Sequence, residues 1–145
     1  MGRGFDENER GEAKMIFDSS IWIDYFQGKK TPLTDLLDEL LEKYEIVNVH
    51  LCPAILQEVL QGVSSQEEHR QIKELIFTCQ FLYLDPYFVA EGAADLYRAL
   101  RSKGVTINKP NDCQIAFYAI HFKEQLVHND KDFVKIARHT SLKVY

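Results

Sequence analysis

Four carboxylates stand out, three where the chain passes from one kind of segment to another, Asp18, Asp112 and Asp130, and one on the helix after the second strand, Glu58. Asp18 follows the apolar run Met15-Ile16-Phe17, which reads as a buried strand, and Ser19-Ser20 after it reads as a helix start. Glu58 lies in a segment of helical periodicity that opens on Pro53. Asp112 opens a nearly all-apolar helix, and Asp130, with Asp132 behind it, follows a further short strand. In open α/β sheets, ligands bind outside the carboxyl ends of the strands. Acids delivered to one such edge crowd together, and they cannot all ionise cheaply. A divalent cation removes that cost. Oxygen ligands suit Mg2+ or Mn2+, which keep part of their water shell. Such an ion activates water against a phosphodiester and stabilises the leaving oxygen, so metal-assisted phosphodiester hydrolysis is the chemistry expected.

Each acid also has an ordinary explanation. Aspartate is a preferred helix cap, which accounts for Asp112 or Asp130 taken singly. A helix glutamate is mostly a solvated one. Glu58 is set apart by its row Ala54-Glu58-Gly62, where small residues flank the carboxylate at helical spacing and leave room for a close neighbour. The set of four carries more weight than any member.

The elements that must position them alternate. Strands are expected at residues 15–17, 46–51, 81–84, 125–128 and 142–145. Helices are expected at 20–27, 34–44, 53–61, 65–79, 87–103, 113–122 and 133–139, with a loop at 105–110. Thr34 is the expected cap of the second helix, and Ser65-Gln66-Glu67-Glu68 resembles a capping box. Strands alternating with helices imply an α/β fold of three layers, with a central, mainly parallel sheet of four to five strands. Residues 1–13 are polar, charged and Gly-rich, and read as a flexible extension; residues 14–145 read as one domain.

Length and composition fit this. A chain of 145 residues with 46% hydrophobic content can build a core without disulfides or metals. Cys52, Cys79 and Cys113 are odd in number and widely spaced, so reduced thiols in a cytoplasmic protein are expected. No apolar run is long enough to span a membrane, and no signal sequence is expected. The net charge of −5 gives no global attraction to nucleic acid, so any such role needs local basic patches or bridging cations. Arg98 and Arg101, one turn apart, could touch phosphate, although such pairs are more often a solvated face.

Other chemistries find less support. His50 and His128 sit at strand ends and could assist proton transfer, but no H-E-x-x-H pair occurs. Ser19 and Ser20 lack the G-x-S-x-G elbow of a nucleophilic serine. Asp85 with Lys109-Pro110 could suggest a phospho-acceptor signalling domain, yet that reading leaves Glu58 and Asp112 unexplained. An inactive interaction module on the same fold is the other alternative.

The ordered motifs MIFDSSIWIDYF, QEVLQG, NKPNDCQIAFYAI and LVHNDKDFVKIA span residues 15–145. In these the chain resembles PIN domains, and in particular the toxin nucleases of VapBC toxin–antitoxin systems. That resemblance implies a Mg2+- or Mn2+-dependent endoribonuclease acting on RNA. It implies that Asp18, Glu58, Asp112 and Asp130 are catalytic and metal-holding, supported by Ser20, with Asp132 second to Asp130 at the same position. It also implies a homodimer and a cognate antitoxin that occludes the site. The acidic balance of the chain suits a partner with a basic segment. Trp22, Ile23, Tyr25 and Phe26 are expected to serve packing, in part at such a contact.

Overall fold

The computed structural model describes residues 14–42 and 48–145. The expected extension and the start of the second strand, at 46–47, lie outside the described residues. Five short parallel strands make one sheet: β1 (Met15–Phe17), β2 (Val49–Leu51), β3 (Gln80–Phe81), β4 (Gln125–Val127) and β5 (Lys143–Val144), in the order β3-β2-β1-β4-β5. The register sets Ile16 between His50 and Leu126. Ile16, Phe17, Leu51, Leu126 and Val127 are fully buried, as strands covered on both faces must be.

Seven described helices connect the strands: α1 (Ser19–Phe26), α2 (Pro32–Glu42), α3 (Pro53–Gln61), α4 (Gln66–Ile76), α5 (Pro86–Ser102), α6 (Pro110–Phe122) and α7 (Lys131–His139). Parallel crossovers are right-handed. The chain steps from β1 out to β3 in one direction, then returns past β1 to β4 and β5 in the other. That reversal places α1 to α4 on one face and α5 to α7 on the other, and it makes the gap between β1 and β4 the switch point of the sheet. The backbone N–H of Asp18 donates to Val127 O across that gap at 2.9 Å, so the first residue past β1 is pinned to the end of β4.

Helix starts differ from expectation, mostly through proline. Pro32, Pro86 and Pro110 each occupy the first helical turn, because a fixed φ suits that position and the missing N–H is not needed there. Thr34 therefore lies inside α2, and its hydroxyl donates to Lys29 O at 2.8 Å; Thr31 takes the capping role, accepting from Thr34 N at 3.1 Å. Helix α6 likewise starts at Pro110, within the expected loop, which moves Asp112 from the mouth of the helix into its first turn. Ser65 caps α4 as the capping-box reading requires, accepting from Glu68 N at 3.3 Å. Strand β3 is shorter than expected: the backbone N–H of Leu82 still donates to Leu51 O at 2.8 Å, after which the chain leaves the sheet for the Asp85 cap of α5.

Helices α5 and α6 pack closely against each other, and Gly92 permits it. A Cβ at Gly92 would fall within the ring of Phe117, so the helix backbone rests directly on that ring. Phe117 also meets Phe88 edge-on, with ring centroids 5.3 Å apart. At the amino end of the sheet, His50 Nδ1 lies 2.7 and 2.9 Å from the two carboxylate oxygens of Glu124, and both residues are buried.

The Gly92 contact makes a prediction of sign. Alanine gains about 1 kcal/mol over glycine in a helix interior, whereas overpacking costs about 1–3 kcal/mol. Gly92→Ala should therefore lower stability in the intact protein. In a Phe117→Ala background the same change should raise it. A double-mutant cycle by urea unfolding checks this.

Candidate active site

The switch point gathers the acids, and each arrives by a different element. Asp18 ends β1 and caps α1, and only 5% of it is exposed. Its Oδ2 accepts from Ser20 Oγ at 2.8 Å and sits 3.5 Å from Ser20 N. Burial raises the Asp18 pKa above the ordinary value, the Ser20 hydrogen bonds pull it back, and the nearby Glu58 charge raises it again.

Glu58 comes from the middle of α3, half-buried, on the face toward α1. Ser19 Oγ donates to Glu58 Oε2 at 2.7 Å, and Asn111 Nδ2 lies 3.5 Å from Oε1. These two contacts join α1, α3 and α6 around one carboxylate.

Asp112 is the most constrained of the set. It is 4% exposed, in the first turn of α6, and its Oδ2 is fully buried without a hydrogen-bond partner. Burial first, then the charges of Asp130 and Asp18, push its pKa up to about 7; Lys109 opposes this and Glu58 adds to it. Asp130 caps α7, its Oδ1 accepting from Asp132 N at 2.9 Å. Its backbone N–H donates to His128 Nδ1 at 3.1 Å, which leaves the His128 proton on Nε2. Burial lowers the pKa of His128 against the pull of Asp18 and Asp130, so the ring is held neutral. Asp132 is 7% exposed and is tied to Asn108 N, 3.4 Å from its Oδ2, and to Lys135 Nζ, 3.5 Å from its Oδ1.

Asp112 thus feels the charges of Asp18, Glu58 and Asp130, Asp18 feels that of Glu58, and Ser20 lies against Asp18. Among the described residues, no group of three or more His, Cys, Asp or Glu side chains forms a ready metal cage. Three of the acids instead spend oxygens on Ser19, Ser20 and the Asp132 amide. The donor set still fits a hard cation. All four groups are carboxylates, and the Asp112 Oδ2 is a buried acceptor without a hydrogen-bond partner.

Two supports escaped the sequence reading: Ser19 and Asn111, both on Glu58. A signal was there in the paired serines after Asp18. Consecutive residues of a helix turn point about 100° apart, so one hydroxyl can serve Asp18 and the other a neighbouring helix. The other candidates find different employment. Asp85 is exposed and caps α5, accepting from Tyr87 N and Phe88 N at 3.0 and 3.1 Å, which removes the phospho-acceptor reading. His50 is committed to Glu124. Burial pushes the Cys52 thiol up to about 12 and those of Cys79 and Cys113 to about 11, so none is a thiolate near neutrality.

The Asp112 environment makes stability depend on pH. Its folded pKa of about 7 exceeds the ordinary 3.8, so the folded chain keeps a proton that the unfolded chain gives up. That contribution is complete below pH 3.8 and is lost as the pH rises through about 7. In EDTA, Asp112→Asn should therefore melt higher than the parent above pH 7, by about 3 °C or more, with a flatter profile of melting temperature against pH. Differential scanning fluorimetry across that range checks it.

Comparison with known proteins agrees with this architecture. The PIN domain family matches residues 15–139. The VapC ribonuclease Mb1587 of Mycobacterium bovis is 33% identical over 128 residues, covering 88% of this chain and 95% of that protein. Among solved structures, the DNA-bound VapBC of Salmonella typhimurium superposes with a TM-score of 0.70 at 17% identity, covering 92% of this chain and 97% of that one. A toxin-antitoxin complex from Klebsiella pneumoniae gives 0.63 at 19% identity, covering 83% and 90%. The parallel five-stranded sheet, the acids at its switch point and a family match over nearly the whole described chain lead to one conclusion: this chain belongs to the PIN-domain family, among its VapC-type members.

Proposed function

We propose that the protein is the toxin of a toxin–antitoxin pair, an endoribonuclease that hydrolyses RNA at the Asp18–Glu58–Asp112–Asp130 cluster with Mg2+ or Mn2+. The observation that carries this is the buried, unpartnered Oδ2 of Asp112, set among three other carboxylates. A carboxylate so placed is costly in its charged form unless a cation joins it. The ribonuclease name of the 33%-identical relative supports RNA as substrate.

Asp18, Asp112 and Asp130, with Glu58, would hold the ion. When bound, it supplies Lewis-acid stabilisation of phosphoryl oxygens and a more acidic water. The residues of the chain do the rest. Ser20 fixes the Asp18 carboxylate, and the switch-point hydrogen bond from Asp18 N to Val127 O fixes its backbone. Ser19 and Asn111 orient Glu58 as the acceptor of the proton that the attacking water gives up. Neutral His128 keeps a proton on Nε2, available to hydrogen-bond a phosphate oxygen. Asp132 braces the α6 approach through Asn108 and so acts by positioning.

The complex from Klebsiella pneumoniae supports an antitoxin as partner. A groove of about 720 Å3 between α1, α3 and α4, bordered by apolar Ile23, Val59 and Ile72 and by polar Gln27, Glu68 and Gln71, is the surface on which we seat part of it. A homodimer belongs to the same reading. Among the described residues no helix is long and apolar enough to cross a membrane, and all three cysteines are free and buried, which supports a cytoplasmic setting.

Outer partners of metal ligands typically cost about 10–100-fold when removed, and a ligand costs at least as much as its partners. Asp18→Asn and Asp112→Asn should therefore each reduce cleavage of unstructured RNA at least about a hundredfold with the fold retained by circular dichroism. Ser19→Ala should cost about tenfold through Glu58. EDTA should abolish cleavage, and Mg2+ or Mn2+ should restore it. Intact RNA after incubation with folded protein and either metal would overturn the proposal.

A further inference from the structure

The acidic balance of the whole chain hides a strong segregation. Residues 98–145 carry nine Lys and Arg side chains, every one exposed, and only four Asp and Glu. Three of those acids, Asp112, Glu124 and Asp132, are buried, and Asp130 is half-buried as a helix cap. Within residues 98–145 the exposed charged side chains are therefore all cationic, while Glu91 and Asp95 lie exposed earlier on α5.

The cations are arranged as well as concentrated. Helix α7 buries Asp132, Phe133 and Ile136 on its inner side. Lys131, Lys135 and Arg138 follow at i, i+4 and i+7, which is one stripe along its exposed side. The stripe begins next to Asp130, inside the acid cluster. At its far end Lys103 Nζ donates to His139 O at 3.4 Å, joining the C-terminal end of α5 to that of α7. Arg101, stacked 5.7 Å from the ring of Tyr97, extends the same end. Beside the cluster, Lys109 acts electrostatically on Asp112. Of the three stripe residues, only Lys135 has an ion-pair partner among the described residues, the mostly buried Asp132. The like charges left together here repel one another unless a polyanion lies across them.

We propose that this stripe is the track along which single-stranded RNA reaches the carboxylates, with Lys131, Lys135 and Arg138 holding successive backbone phosphates. The inference rests on the nuclease reading. It explains how an acidic protein with an acidic reaction centre retains a polyanionic substrate: the strand is held by phosphate contacts beside the site, and those contacts position without reading sequence.

The test uses the full chain carrying Asp112→Asn, to prevent cleavage, and an end-labelled oligouridylate as probe. The triple variant Lys131→Gln, Lys135→Gln, Arg138→Gln is compared with Lys29→Gln, Lys30→Gln, Lys73→Gln, which removes the same charge from the acidic half. For a single strand the slope of log affinity against log salt changes by about 0.7 per phosphate contact. The α7 triple should lose about tenfold or more in affinity and flatten the slope by about 2, while the control triple should track the parent. In the cleaving protein, Lys131→Gln with Arg138→Gln should raise KM and leave kcat within about twofold. Equal binding and equal KM in both triples, with RNA still cleaved by the parent, would overturn the track and leave the nuclease standing. RNA binding lost with the α7 triple in a protein that never cleaves would support the track and overturn the nuclease. Polyglutamate bound as tightly as oligouridylate, and lost in the same triple, would assign the face to an acidic protein and overturn the proposal.

Discussion

The burial of the Asp112 carboxylate among other acids is the constraint around which this structure is arranged. Asp112 sits in the first turn of α6 with an unpartnered buried oxygen, and the charges of Asp130, Asp18 and Glu58 all bear on it. Folding alone would favour an apolar or amide side chain in that position. Much of the surrounding structure serves to keep this arrangement in place. The short parallel strands and the reversal of strand order at β1 deliver two acids to one crevice. Helices α3 and α6 bring two more, and hydroxyls from consecutive serines hold two of the four. Sites of this kind trade stability for reactivity, and the trade is visible here as an acid whose pKa lies near neutrality.

The architecture was legible in the sequence because the strands are short apolar runs and the helices keep a clear period. Residues 15–17, 53–61 and 125–128 needed no tertiary information. Where the reading slipped, local chemistry had more than one solution. The expected starts at 34 and 113 leave Pro32 and Pro110 outside their helices, yet proline is also a favoured first residue of a helix, and both helices start earlier than expected. Sequence could nominate the four acids, since Asp18, Asp112 and Asp130 lie at recognisable boundaries and Glu58 is flanked by small residues on its helix. The part played by Ser19 required the distance between α1 and α3. Asp112 and Asp130 shared one ordinary explanation as caps. The structure separates them: Asp130 does cap α7, whereas Asp112 lies inside its helix and caps nothing.

Charge gave the least complete picture. A net value of −5 averages an acidic first part with a C-terminal third whose exposed charged side chains are all cationic. The sequence requires a local basic patch for any nucleic-acid role, but the alignment of Lys131, Lys135 and Arg138 beside Asp130 depends on where α7 starts. The expected start at residue 133 would have left Lys131 in a loop. With the start at Lys131, all three fall on one stripe.

The claim at the centre of this account is that the four carboxylates share a divalent cation. Anomalous diffraction from crystals soaked in Mn2+ measures that directly. The account predicts a manganese peak at the switch point, ligated by Asp112 Oδ2 together with oxygens of Asp18 or Asp130, at about 2 Å. Absence of a peak in an accessible, well-ordered site, or a peak elsewhere with Asp112 still unligated, would contradict it.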